Sequence, residues 1–151
     1  MKKLGIAATL ASAFAVIGIA AAGIAKEADP YRATMTPKQE VPEPNASAAA
    51  RGAFTARVTA NGAKRSLVWK LTFRNLSGKA TAAHIHMGKP GVAGDVIVPL
   101  CGPCKSGATG RATVSKSAVD ALDGSNAYVN VHTAKNAAGE IRGAIKTAGR
   151  R

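Results

Sequence analysis

In the stretch TAAHIHMGKP, residues 81–90, two histidines stand one residue apart in a chain that has three in all. Along a strand, side chains two positions apart share a face and lie about 7 Å from each other, so His84 and His86 are expected to point the same way. The third histidine, His132, falls in AYVNVHTAKNAAGEIRG, where Tyr128, Asn130 and His132 alternate with Ala127, Val129 and Val131. If the two stretches share one sheet, three imidazoles meet in one patch, which is a familiar ligand set for zinc or copper with an open position left over. Glu140 or Asn130 would then be placed to orient a ring nitrogen from behind the ligands. The same residues also suit a structural role, in which unliganded histidines join Tyr128, Glu140 and Arg142 in a polar cluster that fixes strand register.

Other chemistry is thinly supplied. Cys101 and Cys104 spell C-G-P-C, but a redox dithiol of that spacing opens a long helix whose N-terminus lowers the thiol pKa, and here Lys105-Ser106-Gly107 follows. An oxidised local staple, Cys101 to Cys104, is the expectation for an exported chain; its ring is short, so its stabilisation is about 1 to 2 kcal/mol. A two-cysteine metal half-site is the weaker alternative. No serine lies in a G-x-S-x-G elbow, and no glycine loop has phosphate-binding spacing before a helix. Paired carboxylates for glycosidase work are missing too, since only Glu140 has a suggestive setting.

The elements that must carry these residues begin after a leader. Lys2 and Lys3 precede a run of Ala, Gly, Ile, Leu, Val and Phe that ends near Gly23-Ile24-Ala25, so residues 1–25 are read as a secretory signal peptide, with a retained N-terminal anchor as the alternative. The exported chain is then secreted or periplasmic, with no further membrane span. It keeps 19 basic residues against eight acids, a net charge of about +11. That excess favours anionic components of the cell envelope as partners, with strong salt dependence. Specific nucleic-acid binding is not expected, because aromatic residues make up only 4% of the chain and no recognition-helix pattern is present.

Residues 26–30 read as a disordered segment, YRATMTPKQE as an edge strand ending at Pro37, and VPEPNASAAA as a crossing loop. Phe54, Ala56, Val58 and Ala60, then Leu67, Trp69, Leu71 and Phe73, alternate with polar residues on either side of Asn61-Gly62, the pair favoured in tight hairpin turns. A third strand is expected over residues 80–87, with Ile85 and Met87 inward and the histidines outward. DVIVPL follows the loop GKPGVAG as a fourth, and Arg111 to Val114 is a short fifth. SKSAVDALDG, with a serine cap and Gly124 as its stop, is the one helical turn. Two last strands flank a loop at Lys135–Gly139, with Ala127, Val129 and Val131 opposing Ile141, Gly143 and Ile145. Many short strands with hardly a helix give an all-β fold, an antiparallel sandwich or small barrel.

AAHIHMGKPGVAGDVIVPL, then YVNVHTAKNAAGEIRGAI, with KQEVPEP ahead of RGAFTARV, together resemble the CHRD domain, named after the chordin proteins and found in many exported bacterial proteins. The resemblance covers about residues 31–147 and leaves 148–151 as a basic tail. It implies an immunoglobulin-like sandwich similar in outline to copper/zinc superoxide dismutases. In animal chordin such domains belong to a secreted antagonist that binds growth factors, so a protein partner is also implied. By that likeness His84, His86 and His132 correspond to part of a copper ligand set, and Arg142 to an anion-guiding arginine. A bridged copper/zinc site needs more imidazoles than three, so this chain cannot build one. Fold-level likeness does not establish chemistry.

The sequence therefore reads first as an exported, non-catalytic binding or structural module of the cell envelope. The alternative is a metalloprotein in which His84, His86 and His132 hold one zinc or copper ion.

Overall fold

Alternation decides most of the architecture. The computed structural model describes residues 30–148; the leader expected over residues 1–25, most of the segment 26–30 and tail residues 149–151 lie outside them. The elements are β1 (Tyr31–Met35), a 3-10 turn (Pro37–Gln39), β2 (Arg51–Asn61), β3 (Lys64–Arg74), β4 (Ala80–Met87), β5 (Val96–Cys101), β6 (Thr109–Thr113), α1 (Lys116–Asp123), β7 (Ala127–Thr133), β8 (Ile141–Ala144) and β9 (Lys146–Thr147). β1 stops short of Pro37, whose ring cannot donate to a ladder, but it is not the edge strand expected, because β2 pairs with it on one side and the short β9 on the other. Among the described residues, no helix is long and apolar enough to cross a membrane.

In β2 and β3, Phe54 stands opposite Leu71 and Ala56 opposite Trp69, all turned inward and buried. Pairing runs out to Asn61 and Lys64, so the two loop residues are Gly62 and Ala63, one later than the Asn61-Gly62 pair expected. Only Gly62 takes a positive φ, 59°, as a turn with glycine in its first loop position requires. The helix is longer than the single turn expected, eight residues. Ser115 Oγ accepts the Ala118 N–H at its start, and Ala118, Ala121 and Leu122 face the core.

The strands form two antiparallel sheets, β6-β3-β2-β1-β9 and β5-β4-β7-β8, packed as a sandwich. Phe54, Leu67 and Leu71 of the first meet Ile85, Val129 and Ile141 of the second, all nearly solvent-free. Each such side chain contributes about 1.5 to 3 kcal/mol by leaving water. The sheets also join at one side, where Thr36 and Arg142 exchange backbone hydrogen bonds of 3.0 and 3.1 Å. Gly143 permits this, because a Cβ there would press on the Thr34 carbonyl.

Three details differ from expectation or extend it. Met87 does not turn inward with Ile85: it is 42% exposed, at the end of β4, just past a shift in the β4–β5 register between Ile85 and His86. Cys101 and Cys104 are at disulfide distance, Cα atoms 5.4 Å apart, and a loop into β6 follows them. Glu140 is fully buried and sits one residue before β8, where alternation has not yet begun to aim side chains. Its carboxylate accepts from Ser77 N and Ser77 Oγ at 2.6 Å, from Thr133 Oγ1 at 2.6 Å and from Asn136 at 3.2 Å.

That network ties the β3–β4 turn to the β7–β8 loop. Burial pushes the Glu140 carboxyl up, yet the donors from Ser77, Thr133 and Asn136 outweigh it and hold the group below the usual carboxylate range. A depressed carboxyl stabilises the fold at pH values above its unfolded pKa, and that contribution is lost as pH falls through the folded value. Glu140→Ala should therefore cost about 3 kcal/mol at pH 7, measured by urea unfolding, and the gap to wild type should close as the medium is acidified below about pH 4.

Candidate metal centre

The outward face of the four-stranded sheet is polar but largely buried. In the β4–β7 ladder, His84 stands opposite Asn130, His86 opposite Tyr128, and Ala82 opposite His132. Ala82 is small, so the rings of His84 and His132 can lean together over it, with centroids 4.9 Å apart. His86 joins at 5.8 Å from His84 and 6.3 Å from His132. One ligand atom from each ring lies within 4.8 Å of the others. The structure thus brings all three histidines together.

Hydrogen bonds decide which nitrogen each ring offers. A carbonyl oxygen only accepts, so His86 donates from Nδ1 to Gly94 O at 2.8 Å and His132 donates from Nδ1 to Ala137 O at 2.9 Å. Both rings therefore turn a bare Nε2 toward the cluster. His132 Nε2 is 3.1 Å from His84 Nδ1, a contact in which one shared proton bridges two imidazoles. His86 Nε2 is buried and has no partner. Burial, then repulsion from His132 and His86, pushes the His84 pKa down. His132 is also lowered, chiefly by burial, against the pull of the Ala137 carbonyl. Such rings stay neutral at pH 7, the form a metal requires.

Behind His86 lies a stack. The Tyr128 ring is nearly parallel to it, at 8° and 4.8 Å between centroids, and the Arg142 guanidinium covers the far face of Tyr128 at 3.4 Å. Arg142 donates to Lys89 O at 3.0 Å and Val92 O at 2.8 Å, which folds the 88–95 loop over the sheet. Gly94 of the same loop donates its N–H to Tyr128 Oη at 3.2 Å. The loop, the stack and the His86 tautomer are thus fixed by one set of contacts.

Neither side chain expected to orient the imidazoles is hydrogen-bonded to one. Glu140 is engaged by Ser77, Thr133 and Asn136. Asn130 lies between His84 and Arg142 in the ladders, 2% exposed, but its amide lies against Glu40. The orienting groups are instead the carbonyls of Gly94 and Ala137, which the sequence does not single out because every residue has one. Glu40 was also missed: it sits in the proline-rich KQEVPEP stretch, yet is buried. Gly139, at φ 141°, makes room for it, since a Cβ there would overlap the Glu40 carboxylate. Glu40 Oε1 and Asn130 Oδ1 are buried without partners.

The family model of the CHRD domain matches residues 31–145, a span that holds every residue of this cluster. Searches of the curated proteins and of the solved structures found no match.

Burial pushes the Glu40 carboxyl up to about 7, against the opposing effects of the Arg142 charge, the Val41 amide and the Asn130 side chain. An unfolded glutamate titrates near 4.3, so between about pH 4 and 7 the folded chain binds a proton the unfolded chain has released. Stability should fall as pH rises through that window, by up to about 3 kcal/mol. Glu40→Gln, neutral at every pH, should lack this slope: comparing urea midpoints at the two ends of the window, wild type weakens relative to the variant on the alkaline side.

Proposed function

Since the chain belongs to the CHRD domain family, we propose that it is an exported module of the cell envelope that holds one zinc or copper ion between His84 Nδ1, His86 Nε2 and His132 Nε2. One observation carries this reading: a buried, unpartnered Nε2 on His86 within 4.8 Å of the ligand atoms of His84 and His132. A cluster built only to hold register would satisfy that nitrogen, because leaving a buried acceptor bare costs about 1 to 3 kcal/mol. Three imidazoles with no thiolate or carboxylate suit zinc or copper alike. The leader over residues 1–25 and the paired cysteines support export.

The chain's own residues prepare the site. The carbonyls of Gly94 and Ala137 hold two rings in the tautomer that presents Nε2. Tyr128 and Arg142 hold the plane of His86. His84 would give up its shared contact with His132 by carrying its proton on its other nitrogen, so that metal uptake need release no proton from the ring. The bound ion would supply a Lewis-acidic or redox-active centre with one open position.

Protein purified without an affinity tag should take up one zinc or copper ion per chain at neutral pH, by metal analysis and titration calorimetry. His84→Ala, His86→Ala and His132→Ala should each weaken binding by about 100-fold or more, and Tyr128→Ala, which removes only a support, by about tenfold. No stoichiometric uptake of either ion, or uptake indifferent to the three histidines, overturns the reading.

A further inference from the structure

A second surface lies apart from the histidines and shares only Arg142 with the stack behind His86. Three hollows, of about 330, 650 and 250 Å³, share walls: the first and second at Thr34 and Ala53, the second and third at Gln39, Pro90 and Ala144. They form one trough that crosses the outer face of β3, β2 and β1 and runs past the joint with β8 to the 88–95 loop. Its cationic lining is Arg51 and Arg74 at one end, Arg32 and Lys146 in the middle, and Lys38 and Arg142 at the other. No acidic residue lines any of the three.

Strand register explains the shape. Thr34, Ala53 and Thr72 stand side by side across three strands, a row of short side chains that makes a low floor. Two residues along in one direction, Lys146, Arg32, Thr55 and Lys70 form the next row. Two along in the other, Arg51 faces Arg74. The cationic rows are thus about 14 Å apart, with the floor midway. Arg32, Lys38, Arg74 and Lys146 are exposed, so their charges are available to a ligand.

We propose that this trough binds an acidic polysaccharide, a linear sugar chain with carboxylates along it. The charge calls for a polyanion, and the length of the trough for a polymer rather than a single small ion. Threonine hydroxyls on the floor offer donors and acceptors to sugar hydroxyls. A nucleic acid would want aromatic platforms for its bases, and Phe73 is the one aromatic besides inward-facing Phe54 along the lining. A bilayer would want a convex surface with large apolar residues projecting from it to insert, whereas this surface is a hollow lined by cations and by short side chains such as Thr34 and Ala53.

The test uses the full exported chain and polygalacturonate as probe, with its methyl ester as the uncharged control. Polygalacturonate should bind, and the ester should not; affinity should fall steeply with added salt. The double variant Arg32→Glu, Lys146→Glu should bind at least about tenfold more weakly. A second double variant, Lys64→Glu, Lys105→Glu, makes the same change of net charge at exposed positions outside the trough, and should stay within about twofold of wild type. Circular dichroism of both variants checks folding. Equal losses in the two variants, or binding of the ester, would show that the trough is not the site. Phosphatidylglycerol vesicles or single-stranded DNA bound as tightly as polygalacturonate through Arg32 and Lys146 would overturn the choice of ligand. Zinc or copper uptake by the trough variant is expected to be normal, which separates this outcome from the fate of the metal site.

Discussion

The register of β4 against β7 is the constraint on which the rest depends. With Ile85 opposite Val129 and His86 opposite Tyr128, the apolar members of both strands enter the core and every ring of the cluster lands outside. A slip of one residue would exchange the two sets. It would expose Ile85, Val129 and Val131 and press imidazoles against Leu71 and Phe54. The loss of burial, about 1.5 to 3 kcal/mol for each aliphatic side chain, far exceeds what the polar contacts outside contribute individually. Core packing therefore places the histidines, and the histidines need only accept the place.

Having been placed there, they must be covered without being charged. The 88–95 loop and the β7–β8 loop reach over the sheet, and the partners they bring to the rings are the backbone carbonyls of Gly94 and Ala137. A carboxylate at the same positions would stabilise the imidazolium and raise the pKa of the ring. Carbonyls fix the tautomer with a weaker pull, so that burial and mutual repulsion prevail at His84 and His132. Arg142, the cation nearest the stack, directs its charge at Lys89 O, Val92 O and the face of Tyr128. The sheet thus gains an ordered polar layer in which burial favours the neutral form of His84 and His132.

What the sequence made legible was whatever alternation alone controls. The β2–β3 hairpin, the inward face of β7 and the common side of His84, His86 and His132 all follow from a period of two. The departures sit where that period stops. Met87 is the last residue of β4, and Glu140 precedes the first residue of β8, so neither direction was set by its strand. Glu40 lay hidden for another reason. Its stretch has the polarity and prolines of a surface loop, and its burial depends on Gly139, about a hundred residues away in the chain, having no side chain. Family resemblance located the stretches that contain Gly94 and Ala137, but a backbone carbonyl that orients a ring leaves no mark on residue type.

The joint between the sheets links the two surfaces. β1 pairs with β2 through Met35 and then, from Thr36, bonds to Arg142 of β8. The outward rows of one sheet therefore continue into those of the other: Thr34 and Arg32 on β1 line one hollow with Ala144, and Ala144 lines the next with Arg142. Close approach is possible because Gly143 leaves the Thr34 carbonyl unobstructed. A larger residue there would force β1 away from β8, opening the sandwich beside Met35 and Ile141 while also parting the cations of the two sheets. Arg142 belongs to both surfaces, at the end of the trough and at the back of the Tyr128–His86 stack, because the joint fixes it where the two sheets meet.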